Sequence, residues 1–176
     1  MIKKLFIIIF TTIILINNSN AIEPDIFVQS TVNRASKLLS ENITKEQKIK
    51  ELKLIAKDTV DIKGIGFYTL GSARKNLSDV EKQKYLKLFE QYFLKSFSSR
   101  LAEYTNPEID VFAKEVINEN YTIVKSFLKA TQNRPEIKID WRIYTKIAER
   151  PLIRDLIIEG LSLARTQKEE FASVLN

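Results

Sequence analysis

The sequence contains no cysteine and no histidine. Without cysteine there is no disulfide, no thiolate nucleophile, no cysteine-ligated zinc and no acylated lipoprotein anchor. Without histidine there is no Ser-His-Asp or Cys-His pair, and the commonest metal ligand is missing as well. Most hydrolase and metalloenzyme chemistry is thereby excluded, while carboxylate, lysine or tyrosine enzymes and binding or structural roles survive. Glycine and proline are also scarce, four of each, so tight turns are few.

What is present fits a single folded domain. A chain of 176 residues is of ordinary domain size, and 44% hydrophobic with 28% charged residues is the balance of a folded chain. The formal charge of +6 reads as a soluble surface, or more sharply as attraction to anionic membranes or an acidic partner face.

Met1, Ile2, Lys3 and Lys4 form a short basic start. Leu5 to Ile16 is apolar apart from Thr11 and Thr12, and Asn17, Asn18, Ser19, Asn20 and Ala21 turn polar. The apolar stretch of about 12 residues suits a secretory signal and is short of the ~20 that span a bilayer. Small residues at Ser19 and Ala21 place the cut after Ala21, giving a signal peptide over 1–21 and one domain over 22–176. Export with an Ile- and Lys-rich, Gly-poor usage fits a bacterial periplasm. The sequons at Asn42, Asn76 and Asn120 matter only in a eukaryotic secretory route.

Spacings of three and four predict helices from Pro24 to Ser40, from the Thr44–Gln47 capping box onward, over Asp61 to Leu70, and from the Ser78–Glu81 capping box to about Tyr104. The last carries an aromatic stripe of Tyr85, Leu88, Phe89, Tyr92, Phe93, Phe97, Leu101 and Tyr104. After Asn106 and Pro107 the period falls to two. Val111 to Ile117 and Tyr121 to Lys129 read as strands joined at 118–120. Ile137, Ile139, Trp141, Ile143 and Ile147 form a half-buried strand, and Leu152 to Glu159 a fourth. Gly160 breaks the pattern, and Leu161 to Leu175 returns to helix. Helices followed by consecutive strands specify an α+β fold with a four-stranded antiparallel sheet.

The candidates for chemistry each have a plainer role. Asp58, Asp61, Asp155 and Glu159 are available carboxylates. Asp155 and Glu159 are ~13 Å apart on a strand, wider than the ~5 to 9.5 Å of glycosidase pairs, so hydrogen bonds to the following turn or ion pairs suit them better. Ser162 with Lys168 and Ser96 with Lys95 sit in no distinctive dyad motif. Gly64, Gly66 and Gly71 lack the phosphate-loop order and fit close helix packing. Trp141, Tyr121 and Phe127 lie on strands as base-stacking residues do, but export and interleaved charges argue against a nucleic-acid partner. No metal site, cofactor or catalytic residue emerges.

The run Asp155-Leu156-Ile157-Ile158-Glu159-Gly160-Leu161-Ser162-Leu163, with Phe171 eight further on, resembles the D-[VI]-x-[VI]-[ED]-G-[VI]-S-[LM] segment of the MlaC, or toluene-tolerance, family. Asp61-Ile62 through Leu70-Gly71, Ser78-x-x-Glu81-Lys82, Phe89 and Leu101-Ala102-Glu103-Tyr104 resemble that family's segment before and along its long helix. The chain departs from the family pattern at Ser72 to Lys75, at Pro151-Leu152 and at Gln167-Lys168.

The resemblance implies an NTF2-like or cystatin-like α+β fold enclosing an apolar cavity for phospholipid tails. It implies a monomeric, non-catalytic periplasmic carrier that shuttles phospholipid between an outer-membrane lipoprotein-porin complex and an inner-membrane ABC transporter complex, maintaining outer-membrane asymmetry. The helix and strand faces, taken with that resemblance, nominate Phe89, Tyr92, Phe93, Phe97, Ile139, Trp141 and Ile143 as the tail-binding residues. The same faces also suit a structural or adaptor domain with a filled core. A carboxylate-based hydrolase is the third reading.

Overall fold

A computed structural model of the protein describes residues 21–175. The signal segment expected over 1–21 lies outside the described residues except for Ala21. The elements run α1 (Pro24–Ser40), α2 (Lys45–Thr59), α3 (Ile62–Thr69), a 3₁₀ turn (Gly71–Lys75), α4 (Asp79–Leu101), β1 (Ile109–Asn118), β2 (Tyr121–Leu128), β3 (Ile137–Tyr144), β4 (Leu152–Ile158), β5 (Leu161–Ser162) and α5 (Leu163–Leu175). No helix among the described residues is long and apolar enough to cross a membrane.

Local chemistry sets the helix starts. Thr44 and Ser78 each accept a bond from the backbone three residues on, while the Gln47 and Glu81 side chains return one to the cap backbone; both capping boxes therefore form. Pro24 begins α1, where its missing N–H costs nothing. Asp61 accepts from the Gly64 N–H at 2.8 Å and caps α3.

The five strands make one antiparallel sheet in sequence order, β1-β2-β3-β4-β5. Strand β2 shows the half-buried alternation most clearly, with Thr122, Val124, Ser126 and Leu128 buried and Tyr121, Ile123, Lys125 and Phe127 on the opposite face. All five helices share one core with the inward face: Val28 and Val32 of α1, Ala56 of α2, Ile65 of α3, Phe89 and Leu94 of α4 and Ala164 of α5 meet Val124, Leu128, Ile139, Trp141, Ile143 and Ile153. A smaller cluster of Leu38, Leu39 and Leu52 joins α1 to α2.

The fold departs from the expectations in several places. Residues Leu161 and Ser162 are not helical: Glu159 and Gly160 both adopt positive φ, +49° and +82°, giving the tight reversal that pairs β5 with β4 before α5 begins. Strand β3 ends at Tyr144, leaving Ile147 exposed outside it, and α4 ends at Leu101, short of Tyr104. Gly66 does permit close helix packing, because a Cβ there would lie 2.9 Å from Phe89 Cδ1 and 3.0 Å from Leu86 Cδ2. Gly64 instead makes room for the Asp61 carboxylate and the Arg154 guanidinium, which form an ion pair beside it. Arg154 is the extra residue of a bulge in β4, since Arg142 pairs with Asp155 while Ile143 pairs with Ile153.

Candidate functional site

Helix α4 places Tyr85, Phe89, Phe93 and Phe97 four residues apart, so the rings stand in one row. Ring centroids are separated by 6.0, 6.2 and 5.3 Å along the row, with interplanar angles of 21°, 27° and 12°. Twelve residues of helix at ~1.5 Å each make this row ~18 Å long. Phe171 of α5 meets Phe89 edge-on at 6.2 Å. The apolar interior is thus bordered by aromatic rings on the helix side.

On the sheet side lie Ile139, Trp141 and Ile143 of β3, with Val124 and Leu128 of β2. Trp141 and Val124 are register partners and therefore share the inward face. The one indole in the sequence has its polar end satisfied: Trp141 Nε1 donates to Ser126 Oγ at 2.8 Å, and Ser126 Oγ donates to the Ile139 carbonyl at 3.0 Å. With Ser126 fully buried, this pair leaves no bare donor in an apolar wall.

At the start of the row, Thr69 Oγ1 donates to the Gly66 carbonyl at 2.9 Å. The hydroxyl has one proton, so the 2.8 Å contact with Tyr85 is Tyr85 donating to Thr69. Burial raises the Tyr85 pKa above the ordinary tyrosine value.

Of the seven nominated residues, Phe89, Ile139, Trp141 and Ile143 are buried in the main core, and Phe93 and Phe97 pack on it half-buried. Tyr92 stands apart at 44% exposure on the flank of α4, its hydroxyl donating to Gln167 Oε1 at 2.8 Å. The nominations omitted Tyr85, which lies in the same i, i+4 row, and Val124, Leu128 and Phe171. Alternation in β2 marked Val124 and Leu128 as one face, but nothing in the sequence says that this face meets α4.

The polar candidates have structural duties. Asp155, 4% exposed, accepts from the Ala164 N–H at 2.9 Å and from Ser162 Oγ at 2.5 Å. Ser162 Oγ in turn accepts from the Arg165 N–H at 3.1 Å. The Asp-to-Ser spacing of the β4 hairpin therefore builds the start of α5. Glu159 accepts from the Lys138 N–H, Asp58 pairs with Arg34 at 2.8 Å, and Asp61 pairs with Arg154. Lys168 lies over the Tyr68 ring at 5.1 Å and makes no dyad with Ser162. Trp141 faces inward while Tyr121 and Phe127 lie on the outer face, so the three form no common stacking platform.

Helices and one sheet face share a continuous aromatic and aliphatic interior, and together they define a small α+β domain. The sequence model described as MlaC protein matches residues 29–176, and the chain belongs to the MlaC family. A similar fold is found in a phospholipid-binding protein from Ralstonia solanacearum, solved in complex with a phospholipid; the two agree with a TM-score of 0.73 at 16% identity over 88% of each chain. No curated protein matches the sequence.

Proposed function

We propose that the protein is a periplasmic phospholipid carrier, its signal peptide removed, whose acyl tails seat between the α4 aromatic row and the β3 wall of Ile139, Trp141 and Ile143. The observation that carries this reading is the row itself: ~18 Å of aligned rings is close to the ~15 Å depth of one leaflet of a ~30 Å hydrocarbon core. Membership of the MlaC family and the phospholipid complex of the Ralstonia protein support it. Phe89, Phe93 and Phe97 line the seat and Tyr92 stands at its rim.

Tail binding of this kind needs no catalyst. A two-chain lipid with ~30 methylenes costs on the order of 24 kcal/mol to bring into water at ~0.8 kcal/mol per CH₂. Escape through water is therefore negligible, and handover takes place against a docked partner, an outer-membrane lipoprotein-porin complex on one side and an inner-membrane ABC transporter complex on the other. Because the rings and the β3 residues share one packed core, loading requires part of the row to separate from the sheet, and the tails then pack against the rings in place of the sheet.

A filled-core adaptor is the second reading, favoured by the same ring contacts; two depressions among the described residues lie along α1 and beside Lys57 and Arg150, away from the aromatic row. One experiment separates them. The mature chain purified from bacteria is expected to carry phospholipid by mass spectrometry, and tails brominated along the acyl chain are expected to quench the Trp141 fluorescence. Protein that is lipid-free and takes no lipid from vesicles, with Trp141 unquenched, leaves the adaptor reading standing. Chemical conversion of the bound lipid would make it an enzyme.

A further inference from the structure

The positive excess is concentrated in one stretch of the chain, which folds into one part of the helical layer. Residues 45–101, which form α2, α3, the 3₁₀ turn and α4, contain thirteen Lys and Arg against seven Asp and Glu; the remaining described residues contain thirteen against fifteen. The excess of positive charge therefore resides on one stretch of the helical layer.

Within that stretch the lysines line up. Val80, Lys84, Lys87, Gln91 and Lys95 recur at steps of four, three, four and four, forming the exposed stripe of α4 on the side away from Leu86 and Phe89. Helix α2 lies alongside, joined by Lys57 to Glu90 at 3.2 Å, and adds Lys50 and Lys53. None of Lys50, Lys53, Lys84, Lys87 and Lys95 makes an ion pair among the described residues. On the sheet, by contrast, Lys114, Lys125, Lys129, Lys138 and Arg154 are each paired with a carboxylate. Among the free lysines stand exposed aliphatic side chains, Leu54 at 54%, Leu88 at 56% and Val80 at 80%.

We propose that this α2 and α4 face docks on an anionic lipid bilayer, the lysines meeting headgroup phosphates and Leu54, Val80 and Leu88 the interfacial region. Lysines with long apolar stems interspersed with aliphatics suit a headgroup layer. A protein partner would select differently: interfaces between proteins are depleted in lysine and anchored by Trp, Tyr and Arg, and this stripe offers none of those anchors. The inference goes beyond the carrier reading and does not rest on it.

The test is cosedimentation of the mature protein with vesicles of phosphatidylglycerol in phosphatidylcholine and with vesicles of phosphatidylcholine alone. Binding is expected to the anionic vesicles only, and to weaken as salt screens the surface. A triple variant, Lys84→Gln, Lys87→Gln and Lys95→Gln, is expected to bind about a hundredfold more weakly, since each basic side chain near such a surface contributes about 1 kcal/mol. Glutamine is a good helix former, and circular dichroism checks that the fold is kept. The control, Lys37→Gln, Arg142→Gln and Lys146→Gln, removes the same charge from exposed positions elsewhere and is expected to bind like the parent.

An equal loss in the control overturns the proposal, because net charge and not this face would then be responsible. Indifference to headgroup charge also overturns it, because the lysine charges would then contribute nothing to bilayer binding. Lipid-loaded protein without a preference for anionic vesicles defeats this inference alone, whereas lipid-free protein that still cosediments defeats the carrier reading alone.

Discussion

Phe89→Ala removes the ring at the centre of the α4 row. Phe89 is 3% exposed and has ring neighbours on several sides: Tyr85 at 6.0 Å, Phe93 at 6.2 Å, Tyr92 at 6.4 Å and Phe171 at 6.2 Å. Truncating a core phenylalanine costs about 3 to 5 kcal/mol, the higher values arising where the surroundings cannot collapse. Here they cannot do so readily. Tyr85 and Phe93 are held on the same helix one turn away on either side, and the residue facing Phe89 from α3 is Gly66, which has no side chain to move in. We therefore expect a loss of about 4 kcal/mol in lipid-free protein, a large share of the ~5 to 15 kcal/mol available to a domain, with a melting temperature lower by roughly 8 to 16 °C. Urea unfolding of delipidated protein measures the first quantity and calorimetry the second. On the proposed carrier reading, the same substitution should cost less in lipid-loaded protein, because a tail would fill part of the gap. Gly66→Ala should destabilise the parent, where its Cβ meets Phe89 and Leu86, and should be less harmful in the Phe89→Ala background. A loss below about 2 kcal/mol in lipid-free protein, or additive effects of the two substitutions, would refute the packing account.

Two further outcomes follow from the polar contacts. Ser126→Ala strips the acceptor from the buried Trp141 N–H and is expected to cost about 1 to 3 kcal/mol, but much less in a Trp141→Phe background; equal costs in both backgrounds, read by circular dichroism during urea unfolding, would show that the bond is not the cause. Tyr85 carries a raised pKa in the folded protein, so its contribution is full below the unfolded value of ~10 and is lost as pH rises through the folded value, because the unfolded chain releases the proton first. Tyr85→Phe should therefore cost about 1 kcal/mol at neutral pH through the lost Thr69 bond and make the alkaline fall in stability shallower; an unchanged alkaline limb in stability titrations would count against this.

Much of the fold was legible because local chemistry encodes it. Thr44 and Ser78 announced two helix starts through their partners three residues on, and period two in Tyr121 to Leu128 and Ile137 to Tyr144 marked strands with one buried face. What escaped was non-local. The reversal at Glu159 and Gly160 looked like a strand simply breaking into helix, since a two-residue β5 carries too little pattern to be read. Asp155 and Ser162 were visible as polar residues, but their joint task of starting α5 depends on a hairpin that brings them together across seven positions.

The sequence by itself determined the absence of cysteine and histidine chemistry, the order of helices before strands, and the aromatic row, whose four-residue repeat puts Tyr85, Phe89, Phe93 and Phe97 on one side of any helix they occupy. Only the tertiary structure decided what that row faces, which of the seven nominated side chains share its interior, and that Tyr92 is exposed on the flank of α4 beside Gln167. It likewise decided where the positive charge goes. Alternating signs along a chain say little about a surface, because pairing across the fold neutralises Lys114, Lys125 and Lys129 on the sheet and leaves Lys84, Lys87 and Lys95 on α4 without an ion pair among the described residues.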